Sequence, residues 1–316
     1  MDFLCAQQDQ HDRAPVVICG VGGSGTRVVA RAVRAFGVEI GSCLNPALDN
    51  LWFTFLLRRR EWQEAWPASS EITQALRLFA RCSRGRFTVS DRAALEGEIA
   101  RRGSEFRTEI RPEMADRALA SLRALPDAPQ RGLWGWKEPN AHLFLPQIAR
   151  AFPRAKVILV MRDGCDMALS SNQNQLRHWA ARFGLPPNPT PPVALEFWLR
   201  AHRRALAVLA QDFGPRALVL RYEDLCLTPL PVLQQLADFT GGQTTQTMLA
   251  ALAGEIRQPR PRAPVQKADG IGLEQIAAAR ALHASYAYDT TARSVMRRQL
   301  VPSENAMTAP LLSSGT

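Results

Sequence analysis

The chain has 316 residues, 46% hydrophobic and 22% charged. That composition excludes a disordered polymer and is long enough to bury the core of one large α/β domain. A net charge of +10 favours an anionic partner such as a nucleotide, a polyanion, nucleic acid or a membrane surface, although a basic solvated face gives the same balance. Cysteines stand at 5, 19, 43, 82, 165 and 226, without CxxC spacing. They suggest neither a zinc site nor a disulfide framework, and reduced thiols in a cytoplasm are expected. The first residues, MDFLCAQQDQHDR, lack the basic and apolar regions of a secretory leader, and no apolar run reaches the roughly 18 residues of a membrane span.

Residues 1–13 are polar and expected to be disordered. Pro15 to Gly20 (PVVICG) reads as a buried strand, and 24–36 as a helix with Ser24 or Thr26 near its start and Gly37 after its end. Residues 47–125 read as mainly helical and arginine-rich, and LPDAPQRG (125–132) as a turn-rich connector. Region 47–130 is taken as a helical insertion that shapes an acceptor site, inside a single domain spanning 14–300. Its Trp52, Trp62 and Trp66 are candidates for stacking on a sugar or ring, with burial in the core the commoner fate of helical aromatics. Strands are expected at LWGWK (133–137), KVILVMR (156–162) and within ALVLRYEDL (217–225), and helices at 141–152, from Asp166 to about His178, and at 194–213. A proline loop, 184–193, and an irregular proline-rich segment, 257–272, interrupt them, and the tail from 301 to 316 is expected to be disordered. The alternation of strand and helix predicts an α/β fold with a parallel sheet flanked by helices.

Gly20-Val21-Gly22-Gly23-Ser24-Gly25-Thr26-Arg27 joins the first strand to the first helix. Glycines let backbone N–H groups turn toward a phosphate, and the helix N-terminus adds donors and a partial positive charge. Ser24 and Thr26 add hydroxyls and Arg27 a cation. Taken alone, the loop fits three families. Gly20, Gly22 and Gly25, with Glu39 downstream, satisfy the dinucleotide-binding pattern of an NAD-dependent Rossmann oxidoreductase. The loop nearly satisfies the P-loop of a kinase or NTPase, but Thr26-Arg27 stands where Lys-[Ser/Thr] is required. It also resembles the 5′-phosphosulfate loop of sulfotransferases.

Three further stations carry that last resemblance. Val160-Met161-Arg162-Asp163, with Ser170 eight residues after the arginine, is similar to the family's 3′-phosphate motif. Arg162 at a strand end and Ser170, two turns into the following helix, would converge on one phosphate. Leu220-Arg221-Tyr222-Glu223-Asp224-Leu225 resembles the family's Tyr-Glu-Asp-Leu stretch, whose tyrosine lies near the adenine or the 3′-phosphate. Trp136-Lys137-Glu138-Pro139 resembles its Lys-[Asp/Glu/Thr]-Pro stretch.

The resemblance implies a P-loop NTPase-like fold and a sulfuryl transfer from 3′-phosphoadenosine 5′-phosphosulfate (PAPS), leaving 3′,5′-ADP. The acceptor would be a hydroxyl on a saccharide, small molecule or peptide. No metal, nucleic acid or membrane span is implied. Gly22, Gly23, Ser24, Gly25, Thr26, Arg27, Arg162, Ser170 and Tyr222 would bind the nucleotide, and Lys137 would stabilise the leaving oxygen. The family's base lies either just after the first helix or near the lysine stretch, which makes Asp49 the first candidate, Glu138 the second, and Glu39 and His142 lesser ones. Asp49 is also suited to capping the helix after it. The chain departs from the family at Gly23, where most members carry Arg or Lys. Arg27, Lys137 or a loop arginine would then supply that charge, or the leaving group is stabilised differently; a nucleotide- or polyanion-binding module without catalysis is a further alternative.

Overall fold

The computed structural model describes residues 14–105, 112–125, 132–257 and 270–287. The expected disordered termini, 1–13 and 301–316, and most of the proline-rich segment, 258–269, lie outside them.

Four strands, β1 (Val16–Gly20), β2 (Gly135–Lys137), β3 (Lys156–Met161) and β4 (Ala217–Arg221), form one parallel sheet in the order β2-β1-β3-β4. Besides the single turn Glu61–Glu64, the helices are, in chain order, α1 (Thr26–Ala35), α2 (Leu51–Leu57), α3 (Ser69–Ser83), α4 (Val89–Glu105), α5 (Pro112–Arg123), α6 (Leu145–Ala151) and α7 (Gly164–Ala168). There follow α8 (Asn174–Trp179), α9 (Pro191–Val208), α10 (Tyr222–Leu227), α11 (Pro229–Thr240), α12 (Gln246–Glu255) and α13 (Leu273–Ala284).

Strand residues alternate between two cores, as the two-residue period of a strand requires. Val16, Ile18, Ile158, Val160 and Leu220 pack on one face with Val29 and Val33 of α1 and Leu233 and Leu236 of α11. Val17, Cys19, Val157, Leu159 and Met161 face the other core, which runs without a break into α2 and α3. Phe53 stacks on Trp136 of β2 with ring centroids 5.9 Å apart, and Phe79 meets the same indole edge-on at 5.1 Å. The helical insertion therefore shares the core of the sheet. Trp52 and Trp62 are buried there and Trp66 is half-buried.

The sheet order places the ligand crevice. From β1 the chain goes to one side, to β2, and then crosses over β1 to reach β3. In open parallel sheets such a reversal leaves a crevice beyond the carboxyl ends of the strands. Here it lies between the exits of β1, which is followed by the glycine loop, and of β3, which is followed by Arg162.

Several boundaries differ from the sequence expectation. The helix expected from Asp166 to His178 is two short helices, α7 and α8, so Ser170 sits in the break between them rather than two turns into a helix. Polar side chains there compete with the helical ladder. Ser170 Oγ accepts the Asn172 N–H at 3.2 Å, and Gln173 Nε2 donates to the carbonyls of Met167 and Ser170 at 2.8 and 2.9 Å. The helix expected at 141–152 begins as a 3-10 turn at Pro139, capped by Glu138, and becomes α-helical at Leu145. The proline loop ends earlier than expected because Pro191 opens α9, where a missing N–H costs nothing. After Val208 that helix widens into a π turn, Leu209–Phe213.

Candidate active site

The glycine loop meets the conformational requirements read from its sequence. Gly25 has φ +96° and caps α1 without any side-chain hydrogen bond. Ser24 N–H closes a turn onto Val21 O at 3.0 Å, and the first helical bond runs from Val28 N–H to Gly25 O at 2.9 Å. The N–H groups of Thr26 and Arg27 therefore precede any intrahelical acceptor, as the first donors of a helix do. Arg27 is exposed, and Thr26 is buried. A Cβ added at Gly25 would fall on the Tyr222 ring, so the glycine permits close approach as well as the left-handed turn.

Gly23 is also left-handed, with φ +97°, yet an added Cβ would meet only Met167 and Asn172 at ordinary contact distances of 3.6 and 3.7 Å. Backbone conformation, not lack of space, opposes the arginine or lysine that the resemblance leads one to expect there. A cation stands beside the loop. Arg162 Nη1 lies 3.4 Å from Gly23 O, and its guanidinium stands 5.4 Å from the centroid of the Tyr222 ring and 3.8 Å from Asp166. Gly23, Gly25, Arg162 and Tyr222 are thus one cluster. Gly22 lies beside it, over Gln175. Burial raises the Tyr222 phenol above its ordinary pKa.

Ser24 does not present its hydroxyl to the loop mouth as expected. Its side chain is fully buried beside Gly20, and its Oγ has no hydrogen-bond partner among the described residues. Among the described residues no hydrogen bond joins Ser170 to Arg162. Its part is to hold the α7–α8 break that carries Asn172 against Gly22 and Gly23.

A second group lies at the end of β2, where Lys137 and Asp49 form an ion pair. Lys137 is 2% exposed, and its ammonium also donates to Ala47 O at 3.1 Å. Asp49 sits in a loop organised by Asn45, whose Oδ1 accepts the N–H groups of Ala47 and Asp49 at 2.8 and 2.9 Å and whose Nδ2 donates to Asp49 Oδ2 at 2.8 Å. Leu48 completes that loop at φ +64°. The cap of the following helix is Asn50 rather than Asp49, since Asn50 Oδ1 accepts from Trp52 N and Phe53 N. That leaves Asp49 for Lys137.

Glu138 is placed differently. Its Oε2 accepts Thr54 Oγ1 at 2.7 Å, and its Oε1 accepts Asn140 N and Nδ2 at 3.1 and 2.6 Å. It is 3% exposed, and burial first, then the Asp49 charge, raise its carboxyl above the usual range. These bonds cap the 3-10 turn and engage both oxygens of Glu138 inside the fold. His142 is buried, held by burial at a pKa of about 3, and bonded to Gln175 Oε1 at 3.3 Å. Glu39 is occupied at the sheet edge, where its Oε1 accepts the Gly41 N–H at 2.9 Å.

Sequence reasoning missed Asn172 and Gln175. Gln175 Nε2 donates to Gly20 O at 3.2 Å, and with Met167 and Trp198 these two residues line a small cleft beside the glycine loop. The signal was present in Ser170–Gln175 (SSNQNQ), a polar run without the apolar spacing of a packed helix. Among the described residues no group of three or more His, Cys, Asp or Glu side chains is arranged to hold a metal, and no helix is long and apolar enough to cross a membrane.

The sulfotransferase family profile matches residues 15–246, and the chain belongs to that family. It is a sulfotransferase enzyme. Similar solved structures include sulfotransferase STF9 from Mycobacterium avium, at 15% identity and TM-score 0.45, covering 90% of this chain and 79% of that one. Another is the sulfotransferase domain of the olefin synthase of Synechococcus PCC 7002, at 18% identity and TM-score 0.44, covering 89% and 97%. No curated protein matches significantly.

Proposed function

We propose that this sulfotransferase takes its sulfuryl group from PAPS and transfers it to a hydroxyl on a saccharide, small molecule or peptide. The observation that carries the reading is the cluster of Gly23, Gly25, Arg162 and Tyr222 at the crevice between β1 and β3. A helix N-terminus with open N–H groups suits the 5′-phosphosulfate end of the nucleotide. Gly22, Gly23, Gly25, Thr26 and Arg27 would hold that end, mostly by backbone donors. Arg162, with Tyr222 beside it, would hold the 3′-phosphate. Ser24 and Ser170 support the loop shape instead of touching the ligand. The five described cysteines are buried and outside any disulfide, which suits the cytoplasm.

PAPS supplies an activated sulfuryl group on a phosphate leaving group. The chain supplies position and charge, which is the larger part of catalysis in group transfers of this kind. Asp49 would take the proton of the acceptor hydroxyl as its oxygen attacks sulfur. Lys137 holds Asp49 in place and supplies positive charge where negative charge develops. Arg27, exposed at the start of α1, would supply the charge that Gly23 does not.

The test is ligand discrimination. Arg162→Ala should weaken 3′,5′-ADP about 10- to 100-fold and 5′-AMP little, because one charged hydrogen bond contributes about 1.5–3 kcal/mol. Calorimetric titration of both ligands reads this, and equal losses for the two would contradict the assignment.

A further inference from the structure

The family match ends at residue 246, and α13 begins at Leu273. That helix nevertheless reaches the nucleotide cluster. His283, in its last turn, is 4% exposed, and its Nε2 lies 2.8 Å from Glu223 Oε2. The other oxygen of Glu223 accepts the Asp163 N–H at 3.0 Å. Asp163 follows Arg162 and caps α7, its Oδ1 accepting Cys165 N and Asp166 N at 2.9 and 3.1 Å. On the other side of the same turn, Trp198 Nε1 donates to Arg162 O at 3.1 Å. The backbone that aims Arg162 is therefore held from two directions, by an indole of α9 and by a carboxylate fixed from α13. Glu223 also adjoins Tyr222, the second member of the cluster.

A buried carboxylate needs its charge satisfied. Burial alone would raise the pKa of Glu223. The His283 bond and the Asp163 N–H outweigh it and leave the group below its usual range. Without His283, Glu223 Oε2 would be a buried acceptor with a lost partner, and the carboxylate would turn to recover one. Asp163 N–H would then lose its acceptor, and the Arg162 turn one of its two anchors.

We propose that His283 is a positioning residue of the anion site, acting through Glu223 to hold the Arg162–Asp163 turn and so making α13, outside the family match, a working part of the enzyme. The proposal rests on the nucleotide reading only for the ligand it expects at that turn. Two readouts separate the two claims. The first uses the full, ligand-free chain and follows amide hydrogen exchange in the parent, His283→Met and His283→Gln. Methionine fills the space without a donor, and the glutamine amide restores one. In His283→Met the Asp163 amide should exchange about tenfold faster, the scale of one lost hydrogen bond, while Val17 and Ile18 of β1 keep their parent rates. His283→Gln should return Asp163 toward the parent value. Should His283→Met not fold, His283→Asn, too short to reach Glu223, serves in its place.

The second readout is affinity for 3′,5′-ADP and 5′-AMP. The donor-less variant should lose about tenfold for the first and less for the second, with recovery in His283→Gln. An unchanged Asp163 amide, acceleration spread evenly over β1 as well, or a glutamine variant no better than methionine would overturn the proposal. A parent protein that shows the expected amide pattern but binds no 3′,5′-ADP would leave His283 a positioning residue of this turn and refute the nucleotide reading alone.

Discussion

The two halves of the site solve opposite problems. At the crevice between β1 and β3, the groups on offer are backbone N–H donors, an exposed Arg27 and a partly exposed Arg162 held by weak contacts to Gly23 O at 3.4 Å, to Asp166 at 3.8 Å and to the face of the Tyr222 ring. At the end of β2, the charges are already paired. Lys137 is closed onto Asp49 and Ala47 O, and Glu138 onto Thr54 and Asn140. The first half has positive potential with few internal partners, which suits a mobile polyanion. The second holds its groups in fixed places before any substrate arrives, which suits catalysis, where pre-set charges avoid reorganisation. Substitutions in the first half should therefore change affinity. In the second they should change rate or stability.

The largest effect is expected at Gly25. Gly25→Val must place a branched side chain at φ +96° and against the Tyr222 ring, spoiling both the turn and the cluster. Affinity for 3′,5′-ADP should fall by about 100-fold or more, by calorimetric titration of protein whose circular dichroism remains native. Parent-like affinity would break the assignment of the loop.

Within the second half, Asp49 and Glu138 separate rate from stability. Asp49→Asn should lower single-turnover transfer about 100-fold with nucleotide affinity retained. Glu138→Gln should keep most of the rate but lower stability by about 1–2 kcal/mol, since one oxygen that accepts a hydrogen bond becomes a donor. If the two results were reversed, the buried glutamate would be the base.

A smaller effect, spread over the fold, comes from histidines. Burial holds His142 and His178 at pKa values of about 3 and His202 at about 4. They stay neutral in the folded state while the unfolded chain takes up protons below about pH 6.5. The unfolded state then binds more protons, so stability is full above that pH and falls as pH drops toward 4. Each histidine should contribute a loss of about 2 kcal/mol at pH 5, read as a falling melting temperature. A melting temperature that holds or rises between pH 7 and pH 5 would contradict this.

Much of the first half was legible in the sequence, and little of the second. β1, β3 and the glycine loop announce themselves locally, through β-branched apolar runs and glycines at a strand–helix junction. The break at Ser170–Gln173 was hidden because helical patterning describes apolar faces and not the side-chain hydrogen bonds that interrupt a ladder. Lys137 and Asp49 were both picked out, but their pairing spans 88 residues of chain and depends on the Asn45 loop. His283 carried no signal at all, since its partner is a glutamate 60 residues earlier that reads as an ordinary strand exit.

The central claim is that the crevice between β1 and β3 takes a nucleotide with both a 5′- and a 3′-phosphate. Thermal unfolding with 3′,5′-ADP, ATP and NAD tests it most directly, because a ligand that binds only the native state stabilises it by about 2.7 kcal/mol at 100 times its dissociation constant. The account predicts that saturating 3′,5′-ADP raises the melting temperature by about 5 °C or more, with ATP and NAD well below it. A rise with ATP or NAD that equals or exceeds that with 3′,5′-ADP, or no rise with any of the three, would contradict it.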